Sequence, residues 1–278
     1  MPLGPVDVYK QLPKTNCGEC GHPSCLAFAT QVVGFGYDLA RCLHLDPQVR
    51  EKLGAIVAAQ RERGVQVKRA SHQITREHLQ EKMRRCDFAA RAPGLGATYT
   101  REGEVETLRL LYFGRWIGVS RTELRAEDGG ELDPWDQILI YNYIASSGSR
   151  RVSGRWVGME SFPNALPKTT ALEQGCHRRI TEAFAGDGSG LEKACLAAGG
   201  RRVVGGHNAD LAYEVQALPR MPLLVLFWDQ DQEEGFEAKS KILFDDAAME
   251  YLDLEGLVFV AEKLTDHLIT QRKEKGNV

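Results

Sequence analysis

Four of the seven cysteines, Cys17, Cys20, Cys25 and Cys42, fall within 26 residues, while Cys86, Cys176 and Cys195 are scattered singly. This crowding constrains the chain more than any other feature. Clustered thiols read as metal ligands, a redox couple or disulfides, and the cellular compartment helps decide between them. The N-terminus, Met1-Pro2-Leu3-Gly4-Pro5-Val6-Asp7, has no basic region and no apolar run of the signal-peptide kind. The strongest apolar run of the chain, Leu223 to Trp228, is six residues long, far short of a membrane span. A cytoplasmic protein with no membrane segment is expected, and there four crowded thiols mean metal or redox chemistry before disulfides.

The local sequence suits a core held by sulfur. Cys17, Cys20 and Cys25 stand within nine residues, in Pro13-Lys14-Thr15-Asn16-Cys17-Gly18-Glu19-Cys20-Gly21-His22-Pro23-Ser24-Cys25. Gly18 and Gly21 relieve the steric cost of curling a backbone around an inorganic centre. Pro23 reads as the first residue of a helix, where its missing N–H does no harm. Leu26, Phe28, Ala29, Val32 and Val33 give that helix apolar surface, and Gly34 and Gly36 can end it. Cys25 then falls in the first turn, where the helix dipole favours a thiolate. Tyr37-Asp38-Leu39-Ala40-Arg41 returns the chain to deliver Cys42.

Rival metal and redox devices fit less well. A zinc ribbon needs two CxxC knuckles, and one is present. A zinc knuckle wants His as third ligand and Cys at position 30, where the chain has Cys25 and Thr30. Covalent haem needs CxxCH, but Gly21 separates Cys20 from His22. A dithiol couple uses Cys17 and Cys20 and leaves Cys25 and Cys42 idle. A [4Fe–4S] cluster on Cys17, Cys20, Cys25 and Cys42 accounts for all four; structural zinc is the remaining alternative.

The run from Pro13 to Ala29 closely resembles the cluster domain of the corrinoid iron–sulfur protein, the gamma subunit of the acetyl-CoA synthase/CO dehydrogenase system. The resemblance covers roughly residues 1–60. It implies a low-potential [4Fe–4S] cluster on Cys17, Cys20, Cys25 and Cys42, which in that family reduces cobalt in a corrinoid. Leu43 stands where the family usually places Pro, and His22 where an apolar or aromatic residue is commoner. A solvated loop histidine is the expected reading of His22, with tuning of the cluster through a hydrogen bond or local charge as the alternative. The family continues into a barrel and a cobalamin domain, for which this chain is too short, so the resemblance carries the cluster and not methyl transfer.

Length and composition frame the rest. A chain of 278 residues suggests about two domains. With 43% hydrophobic and 26% charged residues it is an ordinary folded protein. A net charge of −3 gives no reason to expect nucleic acid, although residues 1–70 carry nine basic against six acidic side chains.

Residues 47–63 read as a helix closing the small module, and 64–70 as a basic connector. Ser71 can cap a helix with Leu79, Met83, Cys86 and Ala90 on one face, which makes Cys86 a core residue; Pro93-Gly94 ends it. Leu108 to Tyr112 alternates, and Gly114-Arg115 turns it into Trp116-Ile117-Gly118-Val119 as a hairpin. Asp133-Pro134 starts a helix carrying Trp135, Leu139 and Tyr143. A strand over 155–159, helices over 169–185 and 189–198, and a half-buried strand from Leu211 to Ala217 follow. Leu223 to Trp228 reads as a central strand buried on both faces. The final helix presents Leu254, Leu257, Val258, Ala261, Leu264, Thr265 and Leu268 as one stripe. The fold class is therefore α+β: a small helical four-cysteine module over 1–63, then an antiparallel-sheet domain with packed helices over 71–272.

This second part resembles a family of uncharacterised domains found behind such cluster modules in anaerobic bacteria. The likeness lies in Leu218-Pro219, Pro222 to Trp228, Ile242-Leu243-Phe244-Asp245 and Tyr251-Leu252-Asp253-Leu254-Glu255. It spans roughly residues 75–270 and implies no activity.

Within that domain Asp229, Asp231, Glu233, Glu234, Glu237, Asp245 and Asp246 crowd one region. They read as an acidic surface plus a helix cap over 247–252, with a hard-cation site as the alternative. Cys176-His177 and His207 are soft-ligand candidates, each isolated in sequence. Ser161 lacks the Gly-flanked elbow of a hydrolase, and Gly199-Gly200 and Gly205-Gly206 read as turns rather than a phosphate loop. With no catalytic set legible, an enzyme is not expected. An electron-transfer or redox-accessory role with a redox partner protein, in anaerobic metabolism, is the leading expectation. The alternative is a corrinoid, haem or metal in the second domain, activated reductively by the cluster, against which the missing DxHxxG motif counts. A purely structural cluster is the third reading.

Overall fold

The computed structural model describes residues 4–22, 24–35, 37–59, 79, 81–146, 148–231, 233 and 235–275. The chain divides into two compact units, Met1–Ile74 and Thr75–Val278.

The first unit is helical. Helix α1 (Pro5–Gln11) opens with proline in its first turn, and the Asp7 carboxylate accepts the Gly4 N–H at 3.0 Å. It packs on α2 (Cys25–Phe35). A short 3-10 turn, Leu39–Arg41, leads to α3 over 47–59, capped by Asp46, which accepts from the N–H groups of Gln48 and Val49. Val8, Leu12, Phe28, Ala29, Val32, Leu39, Leu45, Leu53 and Val57 form a small core that also takes in Cys25 and Cys42. The Pro23 start lies outside the described residues. The helix begins at Cys25, where Ser24 Oγ accepts the Ala27 N–H at 3.1 Å. Gly34 does not end α2 but lies inside it, and Gly36 is outside the described residues.

The second unit is α+β with two antiparallel sheets. Strands β1 (Thr98–Glu102), β2 (Val105–Tyr112), β3 (Arg115–Val119) and β4 (Leu124–Ala126) pair in chain order as a meander. Leu108, Leu110 and Tyr112 point to the core, as their alternation requires. The hairpin turn is Phe113-Gly114, at φ 44° and 77°, one residue earlier than expected. Phe113 tolerates that conformation because its N–H donates to Ala217 O at 2.9 Å and its ring is buried edge-on to Tyr112 and His267.

The larger sheet runs β5 (Trp156–Val157), β9 (Lys239–Asp245), β8 (Met221–Trp228), β7 (Leu211–Leu218) and β6 (Arg201–Arg202). Seven of the eight residues of β8 are buried. Leu223, Val225 and Phe227 face the main core, while Leu224 and Leu226 join Ala212 in a smaller cluster flanked by Trp156, Leu243 and Trp228. The apolar run is thus covered on both sides within an antiparallel sheet. Helices α6 (Leu166–Leu172), α7 (Arg178–Phe184), α8 (Gly188–Ala197) and α9 (Leu254–Lys275) pack with this sheet and one another. A π-helical segment, Glu173–His177, joins α6 to α7.

One helix expectation and one strand expectation need correction. The run from Ser71 to Pro93 is not one helix. Helical residues 81–85 stop at Cys86, and Asp87 caps a new helix, α4 (Phe88–Leu95), by accepting the Ala90 N–H at 3.0 Å. Leu79, Met83 and Cys86 are buried, but Ala90 is exposed. Pro93 lies inside α4, which ends at Gly96 in the left-handed region, φ 65°. The connector 64–70 and Ser71 lie outside the described residues. Helix α5 (Pro134–Ala145) starts at the predicted Asp133 cap, whose carboxylate accepts from Trp135 and Asp136 N–H. The strand expected over 155–159 is only Trp156–Val157, followed by a 3-10 turn, Met159–Ser161. Among the described residues no helix is long and apolar enough to cross a membrane.

Candidate metal centre

Cys17, Cys20, Cys25 and Cys42 all line one pocket of the first unit, with His22, Phe28, Leu43 and His44 around them. The four differ in exposure. Cys17 is exposed, Cys20 half-buried, and Cys25 and Cys42 buried.

Local backbone chemistry explains how they converge. Asn16 at φ 50°, Gly18 at φ 78° and Gly21 at φ 85° all adopt the left-handed region, and asparagine and glycine are the residues that do so most readily. Gly21 N–H donates to Gly18 O at 2.9 Å, closing a tight turn that carries Glu19 and Cys20. Asn16 Oδ1 accepts the Cys25 N–H at 2.9 Å, so the residue before Cys17 is tied to the first residue of α2. On the other wall, Asp38 Oδ1 accepts the Ala40 N–H at 2.8 Å to begin the 3-10 turn, and Cys42 N–H closes it on Leu39 O at 3.1 Å.

Burial is the main force pushing the Cys42 thiol above its ordinary value. The His44 backbone N–H opposes it, and the sulfurs of Cys20, Cys25 and Cys17 add to it. Four thiolates in one pocket thus repel one another, and a cationic iron or zinc centre removes that penalty. The donor set fits a four-thiolate group.

Two features beyond the cysteines shape the pocket. Glu19 and His44 face each other, with His44 Nε2 2.9 Å from Glu19 Oε2, and this pair links the CxxC turn to the segment after Cys42. Ligand atoms of Cys17, Glu19 and His44 lie within 4.8 Å of one another on the exposed rim. No periodic signal joins residues 19 and 44. The second feature corrects an expectation: His22 is not a solvated loop residue. Its ring lies 5.8 Å from that of Phe28 and 5.1 Å, edge-on, from that of Tyr37. Its Nε2 is shut off from solvent and has no hydrogen-bond partner.

Of the second-unit candidates, Asp229, Asp245, Asp246 and His177 are engaged structurally, while Glu234 lies outside the described residues. Asp229 accepts the N–H groups of Gly186 and Gly188 at 2.7 and 3.1 Å. Asp245 is buried and accepts from Ser153 N, Gly154 N and Ala247 N at 2.9, 2.7 and 3.0 Å. Asp246 pairs with Arg150 and Arg155, and its carboxyl is held below the usual range by Ser153, against some desolvation, and by those arginines. Asp229, Asp245 and Asp246 are therefore taken up by backbone donors and ion pairs. Helical structure after it is only the 3-10 turn Ala248–Glu250. Cys176 is wholly buried, and burial pushes its thiol up to about 12. Both ring nitrogens of His177 are used: Nε2 accepts the Ile242 N–H at 3.0 Å and Nδ1 lies 2.9 Å from Glu173 Oε2. His207 sits on the loop between β6 and β7, and Ser161 ends a 3-10 turn. Neither Cys176 nor His177 is placed to bind a metal.

Comparison with known proteins divides at the same place. The family model described as Putative Fe-S cluster matches residues 12–44. The one described as Domain of unknown function (DUF3786) matches residues 87–267. The Corrinoid/iron-sulfur protein large subunit of Moorella thermoacetica is 48% identical over 58 residues, 21% of this chain and 13% of that protein. The Acetyl-CoA decarbonylase/synthase complex subunit gamma of Methanothermobacter thermautotrophicus is 43% identical over 58 residues, again 21% and 13%. Subunit gamma 1 of that complex from Methanosarcina thermophila is 46% identical over 48 residues, 17% and 10%. The matched segment thus spans only about an eighth of the first two relatives. No solved structure matches the chain.

Proposed function

The chain belongs to the DUF3786 family, and we propose that it holds a [4Fe–4S] cluster on Cys17, Cys20, Cys25 and Cys42 and passes single electrons to a partner protein. One observation carries the reading: all four clustered cysteines line a single pocket. The iron–sulfur names of the matched relatives support it. When bound, such a cluster supplies a one-electron couple. The residues of this chain would bind it through four thiolates, cover it with Phe28 and exclude water at Cys25 and Cys42. Cys17, being exposed, leaves one ligand near the surface where a protein partner can approach. We assign residues 1–63 to this module and 71–272 to a second domain, within a protein of the reducing cytoplasm of an anaerobe.

The corrinoid in the name of one relative favours a second reading, in which the second domain holds a corrinoid, haem or metal that the cluster reduces. His177, with both nitrogens engaged, does not serve it.

Repeated anaerobic cycling with dithionite and a one-electron viologen acceptor tests the electron-transfer role. Reversible gain and loss of the reduced-cluster EPR signal at constant iron content is expected. A cluster that cannot be reduced, or that sheds iron in the first cycle, means a structural staple instead. Visible absorption beyond the cluster bands, copurifying with the chain, would favour the second reading.

A further inference from the structure

The four ligands do not account for His22. Its ring is held between Phe28 and Tyr37 and lines the four-cysteine pocket, yet its buried Nε2 meets no acceptor. Three side-chain oxygens around the same pocket already have partners. Asn16 Oδ1 takes the Cys25 N–H, Ser24 Oγ takes the Ala27 N–H, and Glu19 takes His44. The same wall carries the four cysteine sulfurs and the Thr15 hydroxyl, and only the sulfurs would be part of a bound cluster. A polar ring atom sealed from water without a partner is unfavourable and rare in folded proteins, so its acceptor is to be sought in what the pocket holds.

We propose that the Nε2–H of His22 donates a hydrogen bond to a sulfur of the bound cluster and raises its reduction potential. This rests on the cluster reading above. A donor to cluster sulfur stabilises the state with more negative charge, which is the one-electron-reduced state. The cluster gains one electron from the reductant; no bond breaks, and the proton stays on His22. Aromatic packing on two sides fixes the ring, so the bond needs little ordering when the cluster assembles.

The test compares anaerobically purified full-length protein, wild type, His22→Phe and His22→Gln, at matched iron and sulfide content. EPR-monitored redox titration of His22→Phe is expected to give a more negative midpoint than wild type, with His22→Gln restoring part of the difference. Electron-nuclear double resonance of the reduced wild type after exchange into D2O is expected to show an exchangeable-proton coupling that His22→Phe loses. An unchanged midpoint and proton spectrum in a fully loaded His22→Phe protein would overturn the proposal and leave the cluster reading intact. Should that variant fail to load, ¹⁵N-histidine labelling of His44→Gln, in which His22 is the one histidine lining the pocket, decides: a nitrogen coupling to the reduced cluster supports the bond, and its absence overturns it. Wild-type protein without iron and sulfide would overturn the cluster reading itself, and the His22 bond with it.

Discussion

At the scale of single residues, the pocket depends on backbone conformations that few side chains adopt. Gly18 sits at φ 78° with open space where a Cβ would go, its nearest neighbour being His22 O at 4.0 Å. Substituting alanine there therefore costs conformational strain rather than a clash, about 1–2 kcal/mol. Gly18→Ala is expected to lose iron several-fold faster than wild type to an excess of chelator, as followed by absorbance. His177 gives a second residue-scale prediction, in the other unit. Burial holds its pKa below the ordinary histidine value, against the pull of Glu173. The unfolded chain then binds a proton that the folded one refuses, so stability falls as pH drops below about 6.5. The loss is at most about 1.4 kcal/mol per pH unit for one such group. Thermal melts of His177→Gln between pH 7 and 5 are expected to show a shallower fall than wild type. Parallel curves would remove His177 as the cause.

At the scale of elements, buffering of helix ends and loop ends by carboxylates recurs. Asp87 starts α4 after the break at Cys86, and Asp87→Ala is expected to cost about 1 kcal/mol in urea titration. Asp245 is more deeply placed, with Ser153 N, Gly154 N and Ala247 N all donating to it. Asp245→Ala strands those donors and is expected to cost about 2–4 kcal/mol by the same measurement. Elements with strong periodicity were legible: β8 from its unbroken apolar run, α9 from its stripe, α5 from Asp133-Pro134. Those that escaped are short or polar. The exposed strand β1 and the three-residue β4 exist because neighbours pair with them, not because of their own pattern. The break before α4 was hidden because Ala90 keeps helical spacing with Met83 and Cys86 across the Asp87 cap. In the first unit the convergence of the four cysteines on one pocket was legible from their spacing, whereas the Glu19–His44 pair, and the choice between a solvated and a packed His22, arise from tertiary closure of a loop.

At the scale of the whole molecule, the two units differ in how much core they own. The first gathers a small cluster of apolar residues around Cys25 and Cys42, while the second has an extensive core between sheets and helices. A small module of that kind gains folding free energy from the group its cysteines bind. Calorimetry of holo and iron-stripped protein is expected to show a transition lost or lowered on stripping, with a second, metal-independent transition unchanged. A single transition insensitive to iron would contradict that division.

The central claim is that four cysteines hold an iron–sulfur cluster, and anaerobic purification with iron, sulfide and zinc analysis and EPR of the dithionite-reduced protein tests it most directly. About four irons and about four sulfides per chain, with a reducible signal lost in Cys17→Ala and Cys42→Ala, is the predicted result. One zinc per chain with no sulfide after strictly anaerobic handling would contradict it and make the module a structural zinc site.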